Sequence, residues 1–184
     1  MNYAPRNRVW SAAAITTPCV ALAAVRDHLR ITAVGEEPEL TAKLLAAQTR
    51  IEKFTGRLLT RREATLRLPG LPSGSCPVAL PGGEVGALTS VTVDGVLLAG
   101  VQAFGDNPAV AIPATDWPSV TGTVYPVTFV YQAGFLACPA DLAMAVMLLA
   151  ADFYTWRADS DEASLAEIPN SARELMKPWR IQPT

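Results

Sequence analysis

A single histidine, His28, stands in 184 residues, and the cysteines do not compensate for it. Cys19, Cys76 and Cys138 are odd in number, far apart and form no C-x-x-C pair, so the ligand supply of a zinc site is missing. They read as reduced, mostly buried thiols of a protein assembled in the cytoplasm. An excess of one charge is also lacking: 15 Lys and Arg against 17 Asp and Glu give a formal net charge of −2. Bulk nucleic-acid binding needs clustered Lys and Arg, and that excess is absent. No apolar run reaches the ~18–20 residues of a membrane span; the best candidate, Leu142 to Ala151, is too short. The apolar stretch after Arg6 and Arg8 is interrupted by Thr16, Thr17 and Pro18 and then continues as an amphipathic helix, unlike a secretory signal.

What is present is packing surface. Half the residues are apolar and 17% are charged, enough to bury a sizeable core and too few charges for a disordered chain. So low a charge also leaves less polar surface than a monomer of this size usually shows, which favours extensive subunit contacts.

The periodicity divides the chain into a helical start, a strand-and-turn middle and a helical end. Residues 1–16 read as an extended arm. Thr17-Pro18 offers a start for a first helix, in which Leu22, Val25 and Leu29 recur at helical spacing. The second helix, from about Glu39 to Thr55, places Leu40, Leu44, Ala47, Ile51 and Phe54 on one stripe, and Gly56 sits where a left-handed cap belongs. From Thr60 the period becomes two: Arg62, Ala64, Leu66 and Leu68 face one way, with Arg61, Glu63, Thr65 and Arg67 opposite. Further strands are expected at 78–80, 90–93, 96–98, 101–104, 109–112 and 125–131. Asp94-Gly95 makes the sharpest hairpin signal, and Asp106-Asn107-Pro108 a second turn. Cys138-Pro139 opens a third helix that is apolar almost all round from Leu142 to Trp156. Asp159, Asp161 and Glu162 mark an acidic loop. Ser171 with Glu174 matches a capping box for a short last helix, which Pro178 terminates.

The fold class expected is therefore α+β: a helical core of two N-terminal and two C-terminal helices with an inserted antiparallel β subdomain. One domain spans 1–184, divided into an arm (1–16), a helical segment (17–57), a β-rich insertion (58–134), a second helical segment (135–177) and a tail (178–184).

No catalytic constellation stands out. Asp27-His28 lacks a nucleophile motif and points in two directions on a helix. Gly82-Gly83-Glu84-Val85-Gly86 lacks the phosphate-loop pattern and reads as a hairpin turn. Arg57, Arg61, Arg62 and Arg67 form a local basic cluster, a candidate DNA contact, although their alternation with Glu63 and Thr65 equally suits a solvated strand face. No cofactor or metal is expected. An enzyme reading would require a deep pocket with perturbed carboxylates near Asp116, Asp141 or Asp152.

Several segments, in this order and spacing, carry a resemblance. They are His28-Leu29-Arg30-Ile31, Ala46 to Arg57 (AAQTRIEKFTGR), Val127 to Gly134 (VTFVYQAG), Cys138-Pro139-Ala140-Asp141-Leu142, Phe153-Tyr154 and Leu165 to Pro169. The chain resembles the head–tail connector (adaptor) proteins of tailed bacteriophages and phage-like particles. Residues 1–16 fall outside that pattern. The resemblance implies a structural, non-enzymatic virion protein of the neck, assembled in the host cytoplasm as a homo-oligomeric ring, typically dodecameric. The ring would dock beneath the portal, extend the DNA channel without sequence-specific contact, and present a platform to a stopper or tail-completion protein, with no membrane partner. Trp179, Arg180 and Ile181 would then be portal-contact candidates, because they follow Pro178 and are expected to project. The rival readings are a small enzyme built from scattered polar residues, and another ring-forming virion protein such as a stopper or tail terminator.

Overall fold

Pro38, in its first turn, and Gly56, just past its end, frame the longest helix among the described residues. The computed structural model describes residues 3–5, 7–31, 35–105, 108–122, 124–155 and 168–181. Trp156, the acidic stretch from Asp159 to Glu162, Leu165-Ala166-Glu167 and the Asp106-Asn107 turn lie outside them. The chain divides into two compact units, one of Met1–Ala14, Gly56–Leu136 and Ile181–Thr184, the other of Ile15–Thr55 and Ala137–Arg180. The fold class is α+β, as the periodicity implies.

The second unit is helical. It holds α1 (Leu22–Leu29), α2 (Glu37–Thr55), α3 (Ala140–Thr155) and α4 (Asn170–Met176). Helix α2 starts two residues before Glu39, because Pro38 fits the first turn, where no amide is needed. Glu37 and Glu39 lie at its positive end and Lys53 in its last turn. Gly56, at φ +73°, ends it without the Cβ penalty any other residue would carry. Thr17-Pro18 does not start α1, which begins at Leu22 after an extended Ala21. The Cys19 amide instead donates to Gln48 Oε1 at 2.9 Å, tying that stretch to α2. Arg30, in the left-handed region at φ 54°, closes the helix by donating to the Asp27 carbonyl.

Leu40, Leu44, Ala47 and Ile51 of α2 are buried, as are Leu142, Ala145, Val146, Leu149 and Ala150 of α3. The stripe departs from expectation at its end. Phe54 and Phe153 are half-buried, and Glu52 and Thr55 take the interior positions. On α3, Met144 stays exposed, so the apolar surface of this helix is not all covered within the subunit. The Ser171–Glu174 capping box does not form. Ser171 lies inside α4, whose N-cap is Pro169, and Glu174 pairs with Lys177 instead. The α-helix does stop ahead of Pro178, at Met176, and a 3₁₀ turn, Lys177–Trp179, follows and admits the proline near its start.

The first unit is β-rich. Strands β1 (Val9–Ala12), β2 (Arg62–Leu68), β8 (Val127–Ala133), β4 (Val85–Val93) and β5 (Val96–Leu97) form a five-stranded antiparallel sheet in the order β1-β2-β8-β4-β5. Strands β3 (Val78–Leu80), β7 (Ala109–Pro113) and β6 (Val101–Phe104) form a three-stranded sheet in that order. The alternation of β2 is as expected, with Ala64, Leu66 and Leu68 inside. The Asp94-Gly95 turn joins β4 to β5 with both residues at positive φ, 52° and 80°. Two expectations fail here. Residues 9–12, expected within an extended arm, form one edge strand of the sheet, Val9 opposite Arg67 and Trp10 opposite Leu66. Gly82-Gly83, at φ +101° and +90°, is not a hairpin turn, because β3 and β4 belong to different sheets.

Tyr131 holds the centre of the larger sheet. Fully buried, its hydroxyl donates to the Pro81 carbonyl at 2.8 Å and accepts from Trp10 Nε1 at 3.0 Å. Tyr131→Phe would strand both partners, so a loss of roughly 1–3 kcal/mol is expected, read as a lower urea midpoint. Burial pushes the phenol above its ordinary value of 10.0. Its contribution is therefore complete below about pH 10 and is lost as pH rises through the folded value. The wild-type midpoint should fall on the alkaline side of pH 10, and that fall should be shallower in Tyr131→Phe.

Candidate assembly surfaces

The arginines expected near DNA do not share one open face. Arg57 is 4% exposed, with its side chain against the Gly83 backbone: a Cβ at Gly83 would stand 3.1 Å from Arg57 Cγ. Arg61 pairs with Glu84 and donates through Nε to the Gly134 carbonyl at 3.1 Å. Arg62 folds back on Thr60, donating to its hydroxyl at 3.1 Å. Arg67, on the outer face of β2, is the exposed member of the four. Close in sequence, these residues are separated in the fold by their local backbone and carboxylate partners.

The C-terminal candidates are packed against the fold rather than projecting from it. In the helical unit, Arg180 lies over the Phe54 ring, 5.5 Å from its centroid, and its own amide donates to the Lys177 carbonyl. Trp179 is half-buried. In the β unit, Ile181 packs at Gly56, where its Cβ stands 3.6 Å from an added methyl. The guanidinium of Arg180 nonetheless remains exposed.

The expectation had no place for the open apolar end of the β4–β5 hairpin. Val96 and Leu97 are 70% and 67% exposed, and Val124 lies on a hollow of about 520 Å³ beside Asp94, Gly95 and Thr121. The turn below them is rigidly tied. Asp94 accepts the Thr121 and Gly122 amides at 2.9 Å and the Thr121 hydroxyl at 2.8 Å. Those bonds, the Thr121 amide first, hold its carboxyl below the usual carboxylate range. The sequence did carry a signal: Val96-Leu97-Leu98 breaks the period of two just where an edge strand should alternate.

A second hollow of about 490 Å³ is lined by Pro69, Gly70, Asp116, Trp117 and neighbours, without a histidine, lysine or second carboxylate. Among the described residues, no group of three His, Cys, Asp or Glu is placed to hold a metal ion, and no helix is long and apolar enough to cross a membrane.

No protein-family model matches the chain, and no curated protein does. Solved structures do. The chain is 28% identical to one from the neck of an empty gene transfer agent (GTA) particle computed with C6 symmetry, with a TM-score of 0.75 over 95% of this chain and 97% of that one. A chain from the neck of the native particle computed with C12 symmetry gives 28% identity and a TM-score of 0.73, over 95% and 97%. One from the native virion gives 27% and 0.72, over 94% and 96%. These likenesses support a structural neck protein of a phage-like particle. They run through both units, so the β insertion and the helices belong to the shared architecture.

Proposed function

We propose that this chain is a head–tail connector (adaptor) subunit, a non-enzymatic protein that assembles in the host cytoplasm into a ring beneath the portal. The ring extends the DNA channel and offers a platform to a stopper or tail-completion protein. The likeness to a neck chain over nearly the whole length carries this reading. A dodecamer is favoured by the C12 symmetry of a related neck. Exposed Met144 on α3 and Val96-Leu97 at the hairpin end supply apolar surface for neighbours. Of the four clustered arginines, Arg67 is the one exposed to meet phosphates in the channel, without sequence preference.

Trp179, Arg180 and Ile181 remain the proposed portal contacts, now as a folded edge rather than a loose tail. Tryptophan and arginine are the residues most often responsible for interface energy. The test is portal binding by the purified chain, measured by mass photometry or size-exclusion chromatography. Trp179→Ala with Arg180→Ala should leave the melting temperature within a few degrees and weaken binding tenfold or more, about 1.4 kcal/mol. Unchanged portal affinity in a folded double variant would remove these residues from the interface.

A further inference from the structure

The five-stranded sheet of the β unit ends in two open edges that are both apolar and opposite in charge. At one end β1 has a strand on one side only, and Val9 is 44% exposed. Exposed Arg8 precedes it and exposed Arg67 stands opposite it on β2, so this end is positive. No proline or lysine within β1 blunts the edge, as natural edge strands often require. At the other end lies the β4–β5 hairpin, with Val96 and Leu97 exposed. Val124, 78% exposed, lines the hollow beside Asp94 and Gly95. Among the described residues that line this hollow, Asp94 is the one charged side chain. The Thr121 and Gly122 amides fix its carboxylate and favour the ionised form. Tyr125, also on the hollow and directly before Pro126, is held at φ 45°, a region that such a residue seldom occupies. Strain of this kind collects where a surface is shaped for contact.

We propose that these two ends meet between copies of the chain: Arg8 and Val9 of one copy dock on Val96, Leu97 and the Asp94 hollow of the next. The contact presupposes the proposed ring and names the surfaces that close it. The β1 edge and the hairpin lie at opposite ends of one sheet, four strand spacings or about 19 Å apart. One copy can therefore engage a neighbour on each side at once. Because the two patches differ, the contact is heterologous and runs head to tail, as ring closure requires and a two-fold dimer does not. Charge selects the same pairing. Unlike ends bring Arg8 to Asp94, whereas like ends would set arginine against arginine or carboxylate against carboxylate. Twist decides the kind of contact. Four strand pairings accumulate roughly 80–100° of twist, whereas neighbours in the proposed dodecamer differ by a twelfth of a turn. The edges therefore cross, and side chains make the contact instead of one hydrogen-bonded ladder running on through the ring.

Particles carrying the full-length chain with Val9→Cys and Leu97→Cys are treated with a short bis-maleimide and compared with wild type on denaturing gels. Both positions are exposed, so neither substitution disturbs the core. Links from residue 9 of one chain to residue 97 of another should give a ladder of multimers that wild type lacks, with the linked peptides identified by mass spectrometry. Val9→Cys alone and Leu97→Cys alone should give no 9–9 or 97–97 link. Arg8→Glu in the double variant should lower the linked fraction several-fold, and Arg8→Lys should keep it. Rings that electron microscopy shows intact but that carry no 9–97 link would overturn the contact and leave the ring standing. Links of 9 to 9 or 97 to 97, the mark of a two-fold contact, would overturn it too, as would a linked fraction indifferent to Arg8→Glu. Particles in which this chain forms no ring would overturn the connector reading itself, and the contact with it.

Discussion

Gly134→Ala should destabilise the β unit by roughly 3–5 kcal/mol, combining backbone strain of about 1–3 kcal/mol with overpacking of similar size. Gly134 ends β8 at φ +104°, a conformation L side chains rarely adopt. A Cβ there would stand 2.6 Å from the Thr60 carbonyl oxygen and 2.9 Å from Leu58 Cβ. The first of these neighbours is backbone and cannot rotate away. Relief by shifting residue 134 is also blocked. Its amide donates to the Glu84 carbonyl at 2.8 Å, and its carbonyl accepts from Arg61 Nε at 3.1 Å. Urea unfolding followed by near-ultraviolet circular dichroism should show a greatly lowered midpoint, or no folded β unit. A midpoint close to wild type would mean that the β2–β8 end is looser than these distances describe.

The second large effect belongs to the helical unit. Leu149→Ala should cost roughly 2–5 kcal/mol, the range for removing a fully buried leucine, because Leu149 has no exposed surface. Phe54→Ala should cost clearly less, although phenylalanine is the larger residue. Its ring is half-buried and covered by the Arg180 guanidinium, so truncation opens a shallow surface instead of a sealed cavity. Helical ellipticity against urea gives both values. The reverse order would place Phe54 in the core and Leu149 at its margin.

The residues that read correctly in sequence were those whose signal is local. The alternation of β2, the positive-φ turn at Asp94-Gly95 and the cap at Gly56 each depend on neighbours a few positions away. What was missed depended on distant partners. Residues 9–12 become a strand because β2 offers an open edge, and nothing in Val9 to Ala12 announces that on its own. The Thr17-Pro18 start fails: α1 begins only at Leu22, after an extended Ala21, and the Cys19 amide donates to the distant Gln48. Gly82-Gly83 has turn chemistry in either case, and only the division into two sheets separates a crossover from a hairpin. The arginine cluster shows the same limit. The spacing put four arginines within eleven residues but could not reveal that the Gly134 carbonyl and Glu84 would claim Arg61.

The central claim is tested most directly by cryo-electron microscopy of the particle that carries this protein, with the neck reconstructed without imposed symmetry. On the proposed reading, a closed ring of this chain is expected directly beneath the portal, with the twelve copies that the C12 symmetry of a related neck favours, Arg67 towards the channel and the 179–181 edge on portal density. Particles whose neck contains no density fitting the two units, or in which this chain occupies the shell or the distal tail, would contradict it.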